Sequence, residues 1–457
     1  MYNVAIIGAG PAGIFSALEI VKLKPDWKVV LIEKGERIED RKCLLREGYA
    51  KCPSCKKCGL LCGWGGAGAF SDGKLTLTPD VGGNLVDYMS RKDVEELIDY
   101  ADNLYLKFGA TKEVFGTDPK IFHEIERKAA LAELKLVHSP VRHLGTERSL
   151  DVLKNMQDYL SENITILNNV SAKSLVVECE QVKGIILDNG DVVKAEYTII
   201  APGREGADWL THEFAKNKIG MVNNAVDVGV RVELPAPVFE PLTDKLYESK
   251  LVYYSPKFGD AVRTFCMNPN GEVVQENYNG IATVNGHSYA NIKTKNTNFA
   301  LLVSEQFTEP FKETIAYGQH IASLANMLAG GILVQRFGDL LEGRRSTPER
   351  LKSSIIEPTL KCATPGDLSL VLPYRQLTSI IEMLFALDKI APGTASRYTL
   401  LYGIEVKFYS ARVKLTNELE TEGVKNLFTI GDGAGVTRGL IQASASGIHV
   451  ARVICSR

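Results

Sequence analysis

Apolar residues in this chain come first in short unbroken runs rather than in alternation. Residues 4–7 (VAII) run into a glycine turn, and residues 28–32 (KVVLI) form a second run. Such runs predict strands buried on both faces, as in a parallel sheet. Residues 14–22 between them carry helical character, which completes a β-α-β unit and requires helices to cover the sheet. Residues 93–108 and 149–160 repeat apolar positions at helical spacing. Residues 164–167, 175–179, 184–187 and 197–201 read as further strands. Asp188-Asn189-Gly190-Asp191 predicts a hairpin turn, because Asn-Gly accepts positive φ.

From about residue 227 to 400 the texture changes. Strand-like pieces at 228–232 and 252–254 alternate with Asn/Gly-rich turns at 268–271 and 277–280 and with helical stretches. This reads as a separate substrate or cap domain. A last apolar strand at 427–430 precedes Gly431-Asp432-Gly433, and a helix follows Gly439. No internal repeat or low-complexity linker interrupts the chain, so interleaved domains are expected.

Composition narrows the class. The chain has 457 residues, 45% hydrophobic and 24% charged, which excludes disordered, collagen-like and coiled-coil proteins. Basic and acidic residues number 53 and 55, so no electrostatic case for nucleic acid exists. No apolar stretch is long enough to span a bilayer. The first apolar run follows no basic segment, so a secretory signal is not expected and a cytoplasmic location is.

The strongest local chemistry is Gly8-Ala9-Gly10-Pro11-Ala12-Gly13, placed after a strand and opening a helix, the context a dinucleotide fingerprint needs. Gly8 permits the turn, Gly10 admits a pyrophosphate, and Gly13 lets the helix approach the sheet. The helix N-terminus then offers free N–H groups to the phosphates. Glu33, followed by Lys34, ends the second strand twenty residues after Gly13, where a carboxylate accepts hydrogen bonds from a ribose diol.

Residues 427–435, LFTIGDGAG, resemble the closing FAD motif of the glutathione-reductase-like flavoproteins. The resemblance implies that Asp432, after Gly431, meets the ribityl chain. It implies that the helix start at Arg438, Gly439, Leu440 and Ile441 lies near the pyrimidine end of the flavin. Residues 198–203, TIIAPG, resemble the family's middle motif and bring in Ala201 and Gly203, while Val170 matches the position whose backbone meets the adenine. A closer likeness is carried by residues 63–75, GWGGAGAFSDGKL, with RHLGT at 142–146, GVRVE at 229–233, RTFC at 263–266 and VNGHS at 284–288. These segments are similar to the FAD-dependent, or NAD(FAD)-utilising, dehydrogenase family. The glycine-rich stretch adds Gly65, Gly66, Ala67, Gly68 and Ser71 to the expected cofactor contacts, since backbone without side chains can lie against a flavin or its pyrophosphate.

The implied fold is α/β: a glutathione-reductase-like FAD-binding Rossmann domain from residues 1–90, 150–225 and 401–457. A helical insertion is expected at 91–149 and an inserted α+β cap at 226–400. The implied function is an FAD-dependent oxidoreductase moving two electrons, as hydride, to or from a small organic substrate. No second GxGxxG follows a strand, so NAD(P)H is expected only as a transient donor, and an electron-carrier protein is the other source.

Five of the nine cysteines fall between Cys43 and Cys62. Cys52, Cys55, Cys58 and Cys62 have the spacing of a bacterial ferredoxin run, without the proline that usually follows it. The same spacing suits zinc, a redox-active dithiol, or reduced structural thiols. A cluster there would make the chain a flavin/iron-sulfur electron-transfer protein. A flavin-dependent RNA-modifying factor is a further alternative, disfavoured by the neutral charge. Among cap residues, His143, His287, Cys266, Arg231 and Tyr254 sit in segments expected to reach the flavin. His287 suits a proton donor or a hydrogen-bonded loop histidine. Arg231 suits a carboxylate or phosphate ligand, or a partner for Glu233.

Overall fold

The structure is a computed structural model. It describes residues 1–43, 55, 57–71, 73–278, 280–288, 293–305, 307 and 313–457. The chain divides into two units. Unit 1 comprises Met1–Glu113, Arg142–Asn224 and Tyr409–Arg457. Unit 2 comprises Val114–Val141 and Ala225–Phe408.

Unit 1 is built on a seven-stranded sheet. Strands Thr165–Leu167, Val29–Ile32, Tyr2–Ile7 and Val192–Ile200 lie side by side in parallel, and Leu427–Thr429 pairs in parallel with Val192–Ile200. Ile7 stands opposite both Ile32 and Ile200, so three apolar runs end level with one another. Val4–Ile7 and Val29–Ile32 are buried throughout, as parallel strands covered on both faces require. The antiparallel strands Ala172–Glu178 and Gln181–Leu187 extend the sheet, and the Asn189-Gly190 turn links the second of them to Val192–Ile200. Helix Pro11–Leu23 begins with proline at its first turn and packs against helix Leu440–Ser456, with the Ser16 hydroxyl donating to the Gly447 carbonyl at 3.2 Å.

Unit 2 carries an eight-stranded sheet. Its order is Thr364–Pro365, Leu333–Arg336, Leu400–Lys407, Val226–Pro235, Asn296–Glu305, Ala261–Asn268, Lys250–Tyr254 and Leu134–Val137. Along Val226–Pro235 the side chains alternate strictly. Val226, Val228, Val230, Val232 and Leu234 join an apolar core with Phe239, Ile380 and Met383. Asp227, Arg231 and Glu233 take the other face and are nevertheless buried. The hairpin Glu272–Tyr278/Ile281–His287 packs on this charged face. The Asn/Gly-rich turn read at 268–271 leads into this hairpin, while the one read at 277–280 includes residue 279, which lies outside the described residues.

The stretch 91–149 does not stand as an insertion of its own. Helix Arg91–Lys107 buries Val94, Leu97, Ile98 and Ala101 in the core of unit 1, and helix Thr146–Asn163 does likewise with Val152, Leu153 and Met156. Residues 114–141 belong to unit 2, where Leu134–Val137 pairs with Lys250–Tyr254 at the sheet edge. The cause is the amphipathic spacing itself: both helices have an apolar stripe to bury. Among the described residues no helix is long and apolar enough to cross a membrane.

Candidate functional site

Five parallel strands of unit 1 end on one side of the sheet, and the motif residues follow directly: Gly8 after Ile7, Glu33 after Ile32, Val170 beyond Leu167, Ala201 after Ile200, and Gly431 beyond Thr429. Open α/β sheets bind ligands in the crevice beyond these carboxyl ends.

The three glycines of the first turn play three different roles. Gly8 has φ +100, and a Cβ there would lie 2.2 Å from the Ala201 carbonyl oxygen. A Cβ on Gly13 would lie 2.0 Å from the Gly8 oxygen. Around Gly10 nothing lies within 4 Å of the Cβ position. Gly8 and Gly13 are therefore fixed by packing, whereas Gly10 faces open space at the N-terminus of helix Pro11–Leu23. That helix has no side-chain cap and no acid in its first turn. Uncapped N–H groups beside an open backbone form a cradle for an anionic phosphate group.

Glu33 is 6% exposed. Its Oε2 accepts from Ala9 N at 2.8 Å, and its Oε1 accepts from Gly35 N and Gly63 N at 2.9 Å each. Three donors of the protein thus occupy a carboxylate that offers about four acceptor sites. The sequence assigns Glu33 to a ribose; the fold also uses it to tie the glycine turn to the glycine-rich loop. Lys34, half-buried, forms an ion pair with the exposed Glu205.

The glycine-rich stretch is an ordered lid on this turn. Gly65 N donates to Ala9 O at 2.8 Å, and residues Gly66–Phe70 form a 3-10 helix. A Cβ on Gly66 would lie 3.3 Å from Gly10 Cα, and one on Gly68 would lie 2.5 Å from Leu440 Cδ2. The loop therefore runs from the first glycine turn to the start of the last helix. Ala67 is exposed, and the Ser71 hydroxyl donates to Gly68 O at 2.8 Å.

Arg41, which no sequence motif marked, holds the lid in place. It is 6% exposed. Its Nε and Nη2 donate to Gly59 O at 3.1 and 2.9 Å, and Nη2 also to Leu60 O at 3.0 Å. Its Nη1 donates to Trp64 O at 2.6 Å and Gly66 O at 2.8 Å. Burial lowers its pKa to about 10, against the opposing pull of Glu33.

At the other end, the Asp432 Oδ1 accepts from the Thr437 hydroxyl at 2.7 Å. Gly203 has φ +62 with nothing within 4 Å of its Cβ position. Val170 N donates to Glu33 O at 3.1 Å, and Ala201 N to Ile7 O at 2.8 Å. Gly439 caps helix Leu440–Ser456 without a side-chain acceptor. Gly439 and Leu440 are half-buried and Ile441 is buried.

The cysteines and the catalytic candidates fare differently. Cys52 lies outside the described residues. Cys55 is exposed, Cys58 and Cys43 half-buried and Cys62 buried. Burial pushes the Cys62 thiol up. Among the described residues no three His, Cys, Asp or Glu side chains are placed to hold a metal ion.

Arg231 does not pair with Glu233. Its Nε and Nη2 bind both oxygens of Glu405 at 2.8 and 2.9 Å, its Nη1 donates to Cys266 O at 2.6 Å, and its Nη2 to Asn285 Oδ1 at 2.8 Å. These bonds leave Arg231 a structural cation. Glu233 instead accepts from Thr359, Tyr402 and Asn296, and burial raises its pKa. Arg231, the Cys266 carbonyl and Asn285 thus share one cluster, and His287, two residues further along the same strand, is half-buried. Tyr254 is 58% exposed. His143, in unit 1, is half-buried at the end of strand Val141–His143.

Residues 226–408 match the family described as FAD-dependent protein, C-terminal domain-like. Over 474 residues the chain is 29% identical to an uncharacterized protein of Clostridium beijerinckii, covering 99% of this chain and 80% of that one. Among solved structures it is similar to formate oxidase, at 12% identity and TM-score 0.46 over 100% of this chain and 98% of that one. It is also similar to the glycine oxidase of Bacillus cereus ATCC 14579, at 14% identity and TM-score 0.38 over 99% and 95%. The family match covers residues 226–408, and over that stretch the chain is similar to FAD-dependent proteins.

Proposed function

We propose that this chain is an FAD-dependent oxidoreductase acting on a small organic molecule by two-electron transfer. The observation that carries the reading is Gly10: the one glycine of the first turn that packing leaves open, at an uncapped helix N-terminus, beside a buried carboxylate.

In this reading the N–H groups at Pro11–Leu23 bind the pyrophosphate and Gly10 gives it room. Glu33 has one acceptor position left for a ribose hydroxyl, with Val170 near the adenine. Asp432 orients the ribityl chain, and the N-terminus of helix Leu440–Ser456 faces the pyrimidine edge. The Gly65–Ser71 lid, fixed by Arg41, shields the middle of the cofactor from water. Bound FAD supplies the reversible uptake of two electrons, and the protein supplies orientation and electrostatics. Electrons arrive from the substrate or from a transient donor, NAD(P)H or a carrier protein. A cytoplasmic location is part of the proposal.

Cys62 precedes Gly63, whose N–H rests on Glu33. The thiol then borders the adenosine end of the site, away from the ring, which weighs against a dithiol that exchanges electrons with the flavin.

The test is spectroscopic. Anaerobically purified protein, before and after dithionite, should show a bleachable flavin spectrum and release one FAD per chain on acid treatment. A protein that neither carries nor takes up FAD would overturn the proposal. Stoichiometric iron and sulfide would instead favour electron relay.

A further inference from the structure

Cys58 and Cys62 begin and end one hydrogen-bonded turn. Leu61 N and Cys62 N both donate to Cys58 O, at 3.0 and 2.9 Å. A helical turn sets side chains four positions apart on one face, with Cβ atoms about 5–6 Å from each other. A disulfide needs Cβ atoms about 3.5–4.5 Å apart and Cα atoms no more than about 6.8 Å apart. The pair is therefore near enough to join, but only if the turn contracts. Cys58 is half-buried and Cys62 buried. The two thiols lie within electrostatic reach of each other and of the Arg41 guanidinium. Among the described residues no third ligand completes a metal site around them.

The turn cannot contract alone. Gly59 is pressed on Lys42, where a Cβ would lie 2.0 Å from the Lys42 carbonyl oxygen. Gly35 is pressed on the other end: a Cβ there would lie 2.6 Å from the Cys62 carbonyl carbon and 2.3 Å from Gly63 N. Between these stops Arg41 holds Gly59 O and Leu60 O inside the turn, and Trp64 O and Gly66 O beyond it. Gly63 N rests on Glu33. Drawing Cys58 and Cys62 together displaces carbonyls that Arg41 gathers, and the same guanidinium carries the glycine-rich lid.

We propose that Cys58 and Cys62 form a redox-sensitive pair, closed to an intrachain disulfide by a low-molecular-weight disulfide, and that closure frees the Gly65–Ser71 lid from Arg41. The Cys58 thiolate, nearer to solvent, attacks one sulfur of the oxidant RSSR; the mixed disulfide forms and one RS⁻ leaves. Cys62 then loses its proton and attacks the Cys58 sulfur, and the second RS⁻ leaves. Two cysteine thiols are oxidised, RSSR is reduced to two RSH, and the two cysteine protons end on the departing thiolates. Burial pushes the Cys62 thiol up, which leaves the first attack to Cys58. The consequence for the cofactor rests on the FAD reading above; the bond and the freed lid do not.

The experiment takes the whole chain, FAD-loaded and reduced, with oxidised glutathione as the probe. Peptide masses after alkylation of the remaining thiols should show Cys58 linked to Cys62. Limited proteolysis should then cut within residues 59–71. FAD fluorescence on dilution should report release about tenfold faster or more, as losing one or two hydrogen bonds to a charged group implies. Dithiothreitol should reverse all three changes. Cys58→Ser should behave as reduced wild type with and without the oxidant, and Cys62→Ala serves if Cys58→Ser fails to fold. The double variant Cys52→Ser/Cys55→Ser should keep the response. No linkage, linkage through Cys52 or Cys55, or a Cys58–Cys62 bond that leaves proteolysis unchanged would overturn this inference. Altered proteolysis with unchanged FAD release would instead overturn the lid's part in the FAD reading. A wild-type chain that takes up no FAD would overturn the dinucleotide reading, and linkage and proteolysis would still decide this inference.

Discussion

Arg231 and Glu405 face each other across adjacent strands of unit 2 with both carboxylate oxygens engaged and neither side chain accessible to solvent. Burial works to lower the Arg231 pKa, and the Glu405 charge outweighs it, so the arginine stays charged. Removing Glu405 strands the charge of Arg231 in the interior, and removing Arg231 leaves Glu405 with Lys407 Nζ at 3.0 Å but without its bidentate partner. Glu405→Gln and Arg231→Met are each expected to destabilise the fold by about 3–5 kcal/mol. The double variant Arg231→Met/Glu405→Leu should lose clearly less than the sum, read by guanidinium unfolding of the four proteins. Additive losses would show that the two groups do not depend on each other.

Gly10 and Gly13 separate binding from folding. Gly10→Val places its side chain in open space and should give a folded protein with native circular dichroism that retains no flavin. Gly13→Val drives a branched side chain into the Gly8 carbonyl and should yield little soluble protein. Stoichiometric FAD in Gly10→Val would sink the phosphate cradle.

Glu33 and Arg41 should act together on the lid. Glu33→Gln turns an acceptor-only group into one bearing two donors, so at least one of the three N–H groups meets an amide NH₂, a loss of about 1–3 kcal/mol. Arg41→Met unpairs the carbonyls of Gly59, Leu60, Trp64 and Gly66. Both variants should release FAD at least tenfold faster than wild type in a dilution assay. Unchanged release from Arg41→Met would mean that the lid does not guard the cofactor.

Acid should find Asp339. Burial alone would raise its carboxyl, but hydrogen bonds from Ser346, Arg336 and Arg344 outweigh it and hold the pKa below the ordinary carboxylate value. A carboxylate depressed in the folded state contributes stability that is present above its unfolded pKa, about 4, and is lost as pH falls through the folded value. Asp339→Asn should therefore be destabilised at neutral pH, by about 3 kcal/mol if the Arg336 pair behaves as a typical buried one. It should also show a flatter acid limb than wild type in thermal unfolding scans across pH.

The parallel strands and the glycine turn were legible because their signals are local. Residues 4–7 and 28–32 need no partner to be recognised, and Gly8 to Gly13 carry their spacing with them. The division of the cap was less legible. Leu134–Val137 is four residues long and joins unit 2 only through its pairing with Lys250–Tyr254, more than a hundred positions away. Arg41 escaped for the same reason: its meaning lies in four carbonyls that only the folded loop gathers. Arg231 was singled out but paired with the wrong acid, since sequence proximity to Glu233 says nothing about a neighbour on another strand.

The chain threads unit 1 in three passes, and the strand Leu427–Thr429 and helix Leu440–Ser456 belong to the last. During synthesis, unit 2 has all its residues once Phe408 has emerged, while unit 1 still lacks the strand Leu427–Thr429 of its sheet and the segment that follows it. Domains fold as units as their residues become available. The nascent protein should thus carry a finished unit 2 beside an open flavin domain. Cofactor capture is then the closing event of maturation, and cells starved of riboflavin should accumulate chains that are complete in length but protease-sensitive in unit 1.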